Sequence, residues 1–212
     1  MAVDRKRKRG PGRPSEGARE AIVFAARELF AENGFDATTT EAILERSGVS
    51  NGAMYHNFPG KLELFEAVYV QVEDESVARL VARAQGETPL EIIRTGSHGY
   101  LAESAGDSDF VRIGLTQARP VLGFERWREL AAERGVGVVE ALFRAAIDAG
   151  QIAPVDPGAA ASIWTAVLIE GGLMVATADD KVAARETASA VLDRLLEGLG
   201  AGDTPPIAAS DL

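Results

Sequence analysis

Side chains able to contact a polyanion gather in the first third of this chain. Arg5, Lys6, Arg7, Lys8, Arg9 and Arg13 face only Asp4 across residues 1–14. Beside Gly and Pro such a block reads as a disordered cationic arm, either a nucleic-acid contact or a solubilising tail. Further on, Ser50, Asn51, Gly52 and Ala53 open a short helix with small side chains, so its amides and positive dipole end could approach a phosphate closely. Thr40, Tyr55 and Asn57 each carry a donor for a phosphate oxygen, whereas Asn51 and the edge of Tyr55 are better placed to reach bases. Lys61 falls in the first turn of the next helix. A cation there opposes the macrodipole at a cost of about 0.3–1 kcal/mol, which a phosphate would reverse.

Other chemistries are excluded by composition. The chain has no cysteine, which removes disulfides, cysteine-bound zinc, iron–sulfur clusters and thiol catalysis. Its two histidines, His56 and His98, lack a partner motif for a metal site or a Ser-His-carboxylate triad. Neither an enzymatic activity nor a cofactor is expected. Of 212 residues, 46% are hydrophobic and 25% charged, enough for one domain of ordinary size or a small one joined to a larger one. The net charge of −10 is unevenly divided: residues 1–61 hold ten Lys/Arg against eight Asp/Glu, and residues 62–212 hold twelve against twenty-four. The basic start has no apolar stretch behind it, so it does not read as a secretory signal, and a cytoplasmic location is expected.

The elements that must hold these groups read as helices throughout. Ile22, Ala25, Ala26, Leu29 and Phe30 make an apolar stripe over residues 16–33, ended by Gly34. The run Thr38-Thr39-Thr40-Glu41 offers a capping-box start to a second helix, with Gly48 as its C-terminal cap. Ser50 can cap a third, stopped by Pro59, and a long periodic stretch runs from Lys61 to about residue 85. Pro and Gly punctuation marks further helices at about 88–105, 108–118, 123–149, 157–178 and 183–199, and no segment alternates with period two. The fold class is therefore all-α, with about nine helices. Residues 159–178 are apolar enough to suggest a membrane span, but the central Glu170 and the small residues Gly171 and Gly172 argue for burial against other helices, and no membrane partner is expected.

Residues 38–65, TTTEAILERSGVSNGAMYHNFPGKLELF, have the layout of a helix-turn-helix, with Gly48 allowing the tight turn and Val49 packing between the helices. This run resembles the TetR family of transcriptional regulators. That family's Thr-started helix, Gly-Val-Ser turn, exposed Gly, Tyr, Phe and helix-opening Lys match Thr40, Gly48-Val49-Ser50, Gly52, Tyr55, Phe58 and Lys61. The family commonly carries a His one place after His56, where this chain has Asn57.

The resemblance implies double-stranded DNA as partner. Thr40, Ser50, Asn51, Gly52, Tyr55, Asn57 and Lys61 would contact it, with Arg9 and Arg13 of the arm in an adjacent A·T-rich minor groove. It also implies a homodimer reading two half-sites, its interface built from the last two helices. Trp164, Leu168, Gly172, Val175, Ala190, Val191 and Leu195 have suitable spacing for that role, or for the monomer core. The acidic remainder would hold a pocket for an unidentified small-molecule effector. Its candidate walls are Phe65, Tyr69, Tyr100, Phe110, Phe124, Trp127 and Trp164, and its candidate anchors His98, Arg112 and Gln117. The expected domains are a disordered arm at 1–14, a DNA-binding domain at 15–61, a helical effector-binding and dimerisation domain at 62–200, and a disordered tail at 201–212. The implied function is a repressor released from a palindromic operator by its ligand, with the long fourth helix as lever. A ligand-independent regulator and a non-specific architectural DNA-binding protein stand as alternatives.

Overall fold

A computed structural model describes residues 16–106 and 108–200. The basic arm, with Arg9 and Arg13, and the tail from residue 201 lie outside them. The chain divides into two compact units, one ending at Val68 and the next beginning at Tyr69.

The first unit holds α1 (Glu16–Ala37), α2 (Thr40–Ser47), α3 (Asn51–Asn57) and the opening turns of α4 (Lys61–Arg83). Gly34 takes φ 80°, a conformation costly for other residues, and breaks α1 where the sequence places its end. Thr38 then turns the chain inward, its buried hydroxyl donating to the Leu29 and Gly34 carbonyls at 3.1 and 2.7 Å. The core is the predicted stripe of α1 with Ile43, Met54, Phe58, Leu64 and Phe65, all buried. Phe30, Phe35 and Phe65 form a cluster of tilted and edge-to-face rings, with centroids 5.1–5.7 Å apart. Leu64, Phe65 and Val68 thus belong to this core, which is why the unit reaches Val68 instead of stopping at residue 61.

The second unit continues through α5 (Pro89–Ser104), a π-helical turn (Phe110–Leu115), α6 (Ala118–Leu122), α7 (Phe124–Ala131), a second π turn (Ala132–Val136), α8 (Gly137–Asp148), α9 (Pro157–Thr177) and α10 (Lys181–Gly198). The described residues therefore hold ten α-helices and two π turns against about nine helices expected. The segment expected at 123–149 is divided by the second π turn, and that at 108–118 is replaced by the first π turn and α6. Thr88 and Glu91 close a reciprocal capping box on α5, and Asp156 accepts the Ala159 amide at 2.7 Å to start α9. α5 packs on α8, α9 and α10 around Ile93, Leu101, Phe143, Trp164, Val175 and Leu192. Trp164 lies edge-on to Phe143 and donates its indole N–H to the Ser97 hydroxyl at 3.1 Å.

This packing corrects the expected dimer surface. Trp164, Gly172 and Val175 are buried inside the single chain and cannot face a partner. A Cβ on Gly172 would come within 2.6 Å of the Tyr100 ring and 2.8 Å of the Ser104 hydroxyl, so glycine is needed there for close helix contact. Leu168 packs against the same core. The outward apolar residues of α9 are instead Ile163 and Met174, on the opposite stripe of the helix, while Val191 and Leu195 of α10 are exposed as expected. α9 is long and apolar enough to cross a bilayer by composition alone, yet its Trp164 and Val175 lie in the helical core.

Candidate nucleic-acid interface and helical cavity

The recognition elements are assembled by local capping. The Thr39 hydroxyl accepts the Ala42 amide at 3.2 Å and starts α2. Gly48, at φ 66°, ends it with its own N–H on the Leu44 carbonyl at 3.0 Å. Ser50 caps α3 through the Ala53 amide at 3.4 Å. Ile43, Met54 and Phe58 are turned inward, which fixes the outward face of α3. On that face Asn51, Gly52, Tyr55 and His56 are exposed. Tyr55 is 51% exposed, and a Cβ on Gly52 would meet nothing within 4 Å, so the helix start is sterically open. Tyr55 is therefore not part of the core of this unit. Thr40 is half-buried at the start of α2, its hydroxyl 3.3 Å from its neighbour Glu41. Asn57 spends one amide hydrogen on the Ala53 carbonyl at 2.7 Å.

Lys61 has a different first task from the one its position suggests. Its ammonium donates to the Phe35 and Thr38 carbonyls at 2.8 and 2.9 Å and lies 4.2 Å from the centre of the Phe35 ring. These carbonyls close the end of α1, where a cation is favoured, so the unfavourable N-terminal position on α4 is offset within the protein without a phosphate. Arg46 ties α2 to α1 through Glu28 and Glu32 at 3.4 and 3.2 Å.

The second unit encloses a cavity of about 190 Å³. Five of the ten residues expected there line it: Tyr69, Tyr100, Phe110, Trp127 and Trp164. The other five do not. Phe65 is part of the aromatic core of the first unit. His98 accompanies Arg94 on Asp193, its Nε2 3.0 Å from the carboxylate. Gln117 donates to the Arg112 carbonyl, and neither residue reaches the cavity wall. Phe124 is exposed outside it.

Glu73 was missed by sequence reasoning and is the most distinctive group on the wall. It extends from α4 one turn after Tyr69, and a Cβ added to Gly114 of the first π turn would lie 2.9 Å from its Oε1. Among the described residues its carboxyl has no hydrogen-bond partner. Burial pushes it up to about 7, against the opposing charge of Arg134, with Glu103 and Asp74 adding to the rise. The Tyr69 and Tyr100 phenols are raised too, by burial first and then by the Glu73 charge. Thr165, also on the wall, has a buried hydroxyl with no partner. Glu73 sits among the apolar positions 65, 69, 72 and 80 of α4, and a carboxylate on the inward stripe of an amphipathic helix was the signal that could have found it.

A capped recognition helix in one unit and a cavity within a second, all-helical unit are the parts of a helix-turn-helix regulator. Residues 22–68 match the model of the tetR family of bacterial regulatory proteins, and residues 90–199 match that of the tetracyclin repressor-like C-terminal domain. The chain belongs to the TetR family. It is 28% identical over 135 residues to an HTH-type transcriptional regulator of Mycobacterium tuberculosis, covering 56% of this chain and 70% of that one. A TetR-family regulator from Pectobacterium atrosepticum superposes with a TM-score of 0.75 at 29% identity, over 88% of this chain and 96% of the other. RolR in complex with resorcinol shares the fold, with a TM-score of 0.68 at 18% identity over 91% and 97%.

Proposed function

We propose that this chain is a dimeric repressor that holds a palindromic operator and releases it when a small molecule fills the cavity of the second unit. The observation that carries the reading is the open, outward face of α3. Asn51 and Tyr55 stand clear of the core there, Gly52 leaves room for a phosphate, and Ser50 fixes the helix start. Asn51 and Tyr55 read bases, while Thr40, Tyr55 and the free donor of Asn57 hold phosphates. Arg9 and Arg13 extend the contact into the minor groove. Lys61 serves mainly to pin α1 to α4, with one ammonium hydrogen left for the backbone. One such helix reads too few base pairs for specificity, so two copies act together across half-sites about 34 Å apart or a multiple of that. The partner is a second copy, docked through Ile163, Met174, Val191 and Leu195. The cavity is where the effector acts, and α4 is the element that responds, since Tyr69, Glu73, Val77 and Leu80 along it line the wall. The protein works in the cytoplasm.

Selection of binding sites from random duplex DNA, followed by affinity against salt on the winner, tests the reading. A palindromic winner bound at least about a thousandfold more tightly than random DNA is expected. No enriched sequence, with binding that vanishes as salt rises, would refute it and favour an architectural role.

A further inference from the structure

The cavity has apolar aromatic walls and holds the Glu73 carboxyl, which has no direct partner among the described residues. Among the described residues no nearby cation forms a hydrogen bond or ion pair with it. Arg134 has its Nε 3.2 Å from Asp74 and donates to the Leu130 carbonyl at 2.9 Å. Arg119 lies over the Phe124 and Trp127 rings, 5.4 and 5.7 Å from their centres. Arg79 and the Ser76 hydroxyl both donate to Glu103. A buried carboxylate without a bonded counter-charge is unfavourable, so a ligand bringing a cation would gain a charge-assisted hydrogen bond that the protein leaves unmade.

Resting on the ligand-responsive reading above, we propose that the cavity binds a small aromatic primary amine. Its ammonium sits against the Glu73 carboxylate and its ring lies among Tyr69, Tyr100 and Trp127. Three features fix this class. The volume of about 190 Å³ is slightly more than the roughly 150 Å³ of an apolar cavity that holds benzene, which suits one ring with a short arm. Aromatic faces attract an ammonium that has left water, which adds to the carboxylate contact. Val81, Val138 and Glu170 both line the cavity and are exposed, marking its opening, and Glu170 places a second negative charge there that draws cations and repels acids.

The charges around Glu73 give the proposal a pH signature. It shares α4 with Tyr69 and Asp74, feels the charges of Glu103 of α5 and Arg134 of the second π turn, and shares the cavity wall with Tyr100 of α5, Arg119 of α6 and Glu170 of α9. Burial outweighs Arg134, so the carboxyl ionises only near pH 7. An aliphatic ammonium keeps its charge to about pH 10. Amine affinity therefore rises by up to about tenfold per pH unit between 5.5 and 7, then levels off.

Titration calorimetry of the full chain without DNA, using 2-phenylethylamine, 2-phenylethanol and phenylacetate from pH 5.5 to 8.5, tests this. The amine is expected to bind most tightly, with the rising profile. Glu73→Gln should weaken it about tenfold or more at pH 8 and flatten the profile. The proposal is overturned if the alcohol or the acid binds as tightly as the amine, if none of the three binds, or if the wild-type profile is flat. None of these readouts needs a variant. Amine binding that fails to displace the selected operator would sink the regulatory reading and leave the cavity assignment standing.

Discussion

Glu73 should make the second unit less stable as the pH rises, and its replacement should remove that dependence. Its ordinary value of 4.5 becomes about 7 in the folded chain. Below about pH 4.5 the carboxyl is protonated in both states and contributes nothing to the pH slope. Between 4.5 and 7 the native state keeps a proton that the unfolded chain has released, so stability falls with rising pH, and above 7 it is level again. At about 1.4 kcal/mol per pH unit the full penalty is on the order of 3 kcal/mol, most of which develops between pH 5 and pH 8. Glu73→Gln should therefore gain roughly 2–3 kcal/mol over wild type on passing from pH 5 to pH 8, or about 5–10 °C in melting temperature. Urea unfolding at both pH values and equal protein concentration measures it. Tryptophan emission reports this unit alone, because Trp127 and Trp164 are the chain's two tryptophans and both line the cavity. A difference between variant and wild type that is the same at both pH values would refute the argument that burial governs this carboxyl.

Four further outcomes are expected. Tyr55→Phe should reduce operator affinity by about fivefold to tenfold through one lost hydrogen bond, with an unchanged thermal melt; full affinity would remove Tyr55 from the interface. Lys61→Met should lower the stability of the DNA-binding unit by about 2 kcal/mol, as two carbonyl contacts and a cation–ring contact disappear, and an unshifted melt would deny its pinning role. The double change Val191→Asp with Leu195→Asp should convert dimer to monomer in sedimentation velocity, and a persistent dimer would place the interface elsewhere. Gly172→Ala should destabilise by about 1–3 kcal/mol, because the new methyl meets the Tyr100 ring, and a neutral effect in urea unfolding would show that the α5–α9 contact yields easily.

Local signals made the first unit readable. Thr39, Gly48, Ser50 and Pro59 are punctuation whose meaning depends on a few neighbours, and the stripe from Ile22 to Phe30 has one inward face. α9 was harder because it is apolar nearly all round. Periodicity could not say which stripe faces inward, so Trp164, Gly172 and Val175 stayed open between partner and core until the packing buried them in the core. The cavity was half legible for a related reason. Large aromatics mark a core or a pocket equally well, so Phe65 was drawn from one unit into the other, while Glu73 looked like one more acid in an acidic helix. The π turns left no composition mark at all, since an i to i+5 register is set by tertiary packing.

Those two turns have a consequence for how the second unit tolerates changes of length. Each carries one residue beyond what an α register would hold, and the first of them bears Phe110, Gly114 and Leu115 on the cavity wall. Removing one residue from 110–115 would let the segment close as ordinary helix and rotate the side chains beyond the deletion by about 100°. A shortening that would wreck a regular helix by misplacing its buried face has here a ready structural solution, and it would carry Gly114 away from the Glu73 carboxyl. The cavity wall is thus the stretch where a single-codon deletion could change the ligand held while the surrounding helices keep their places.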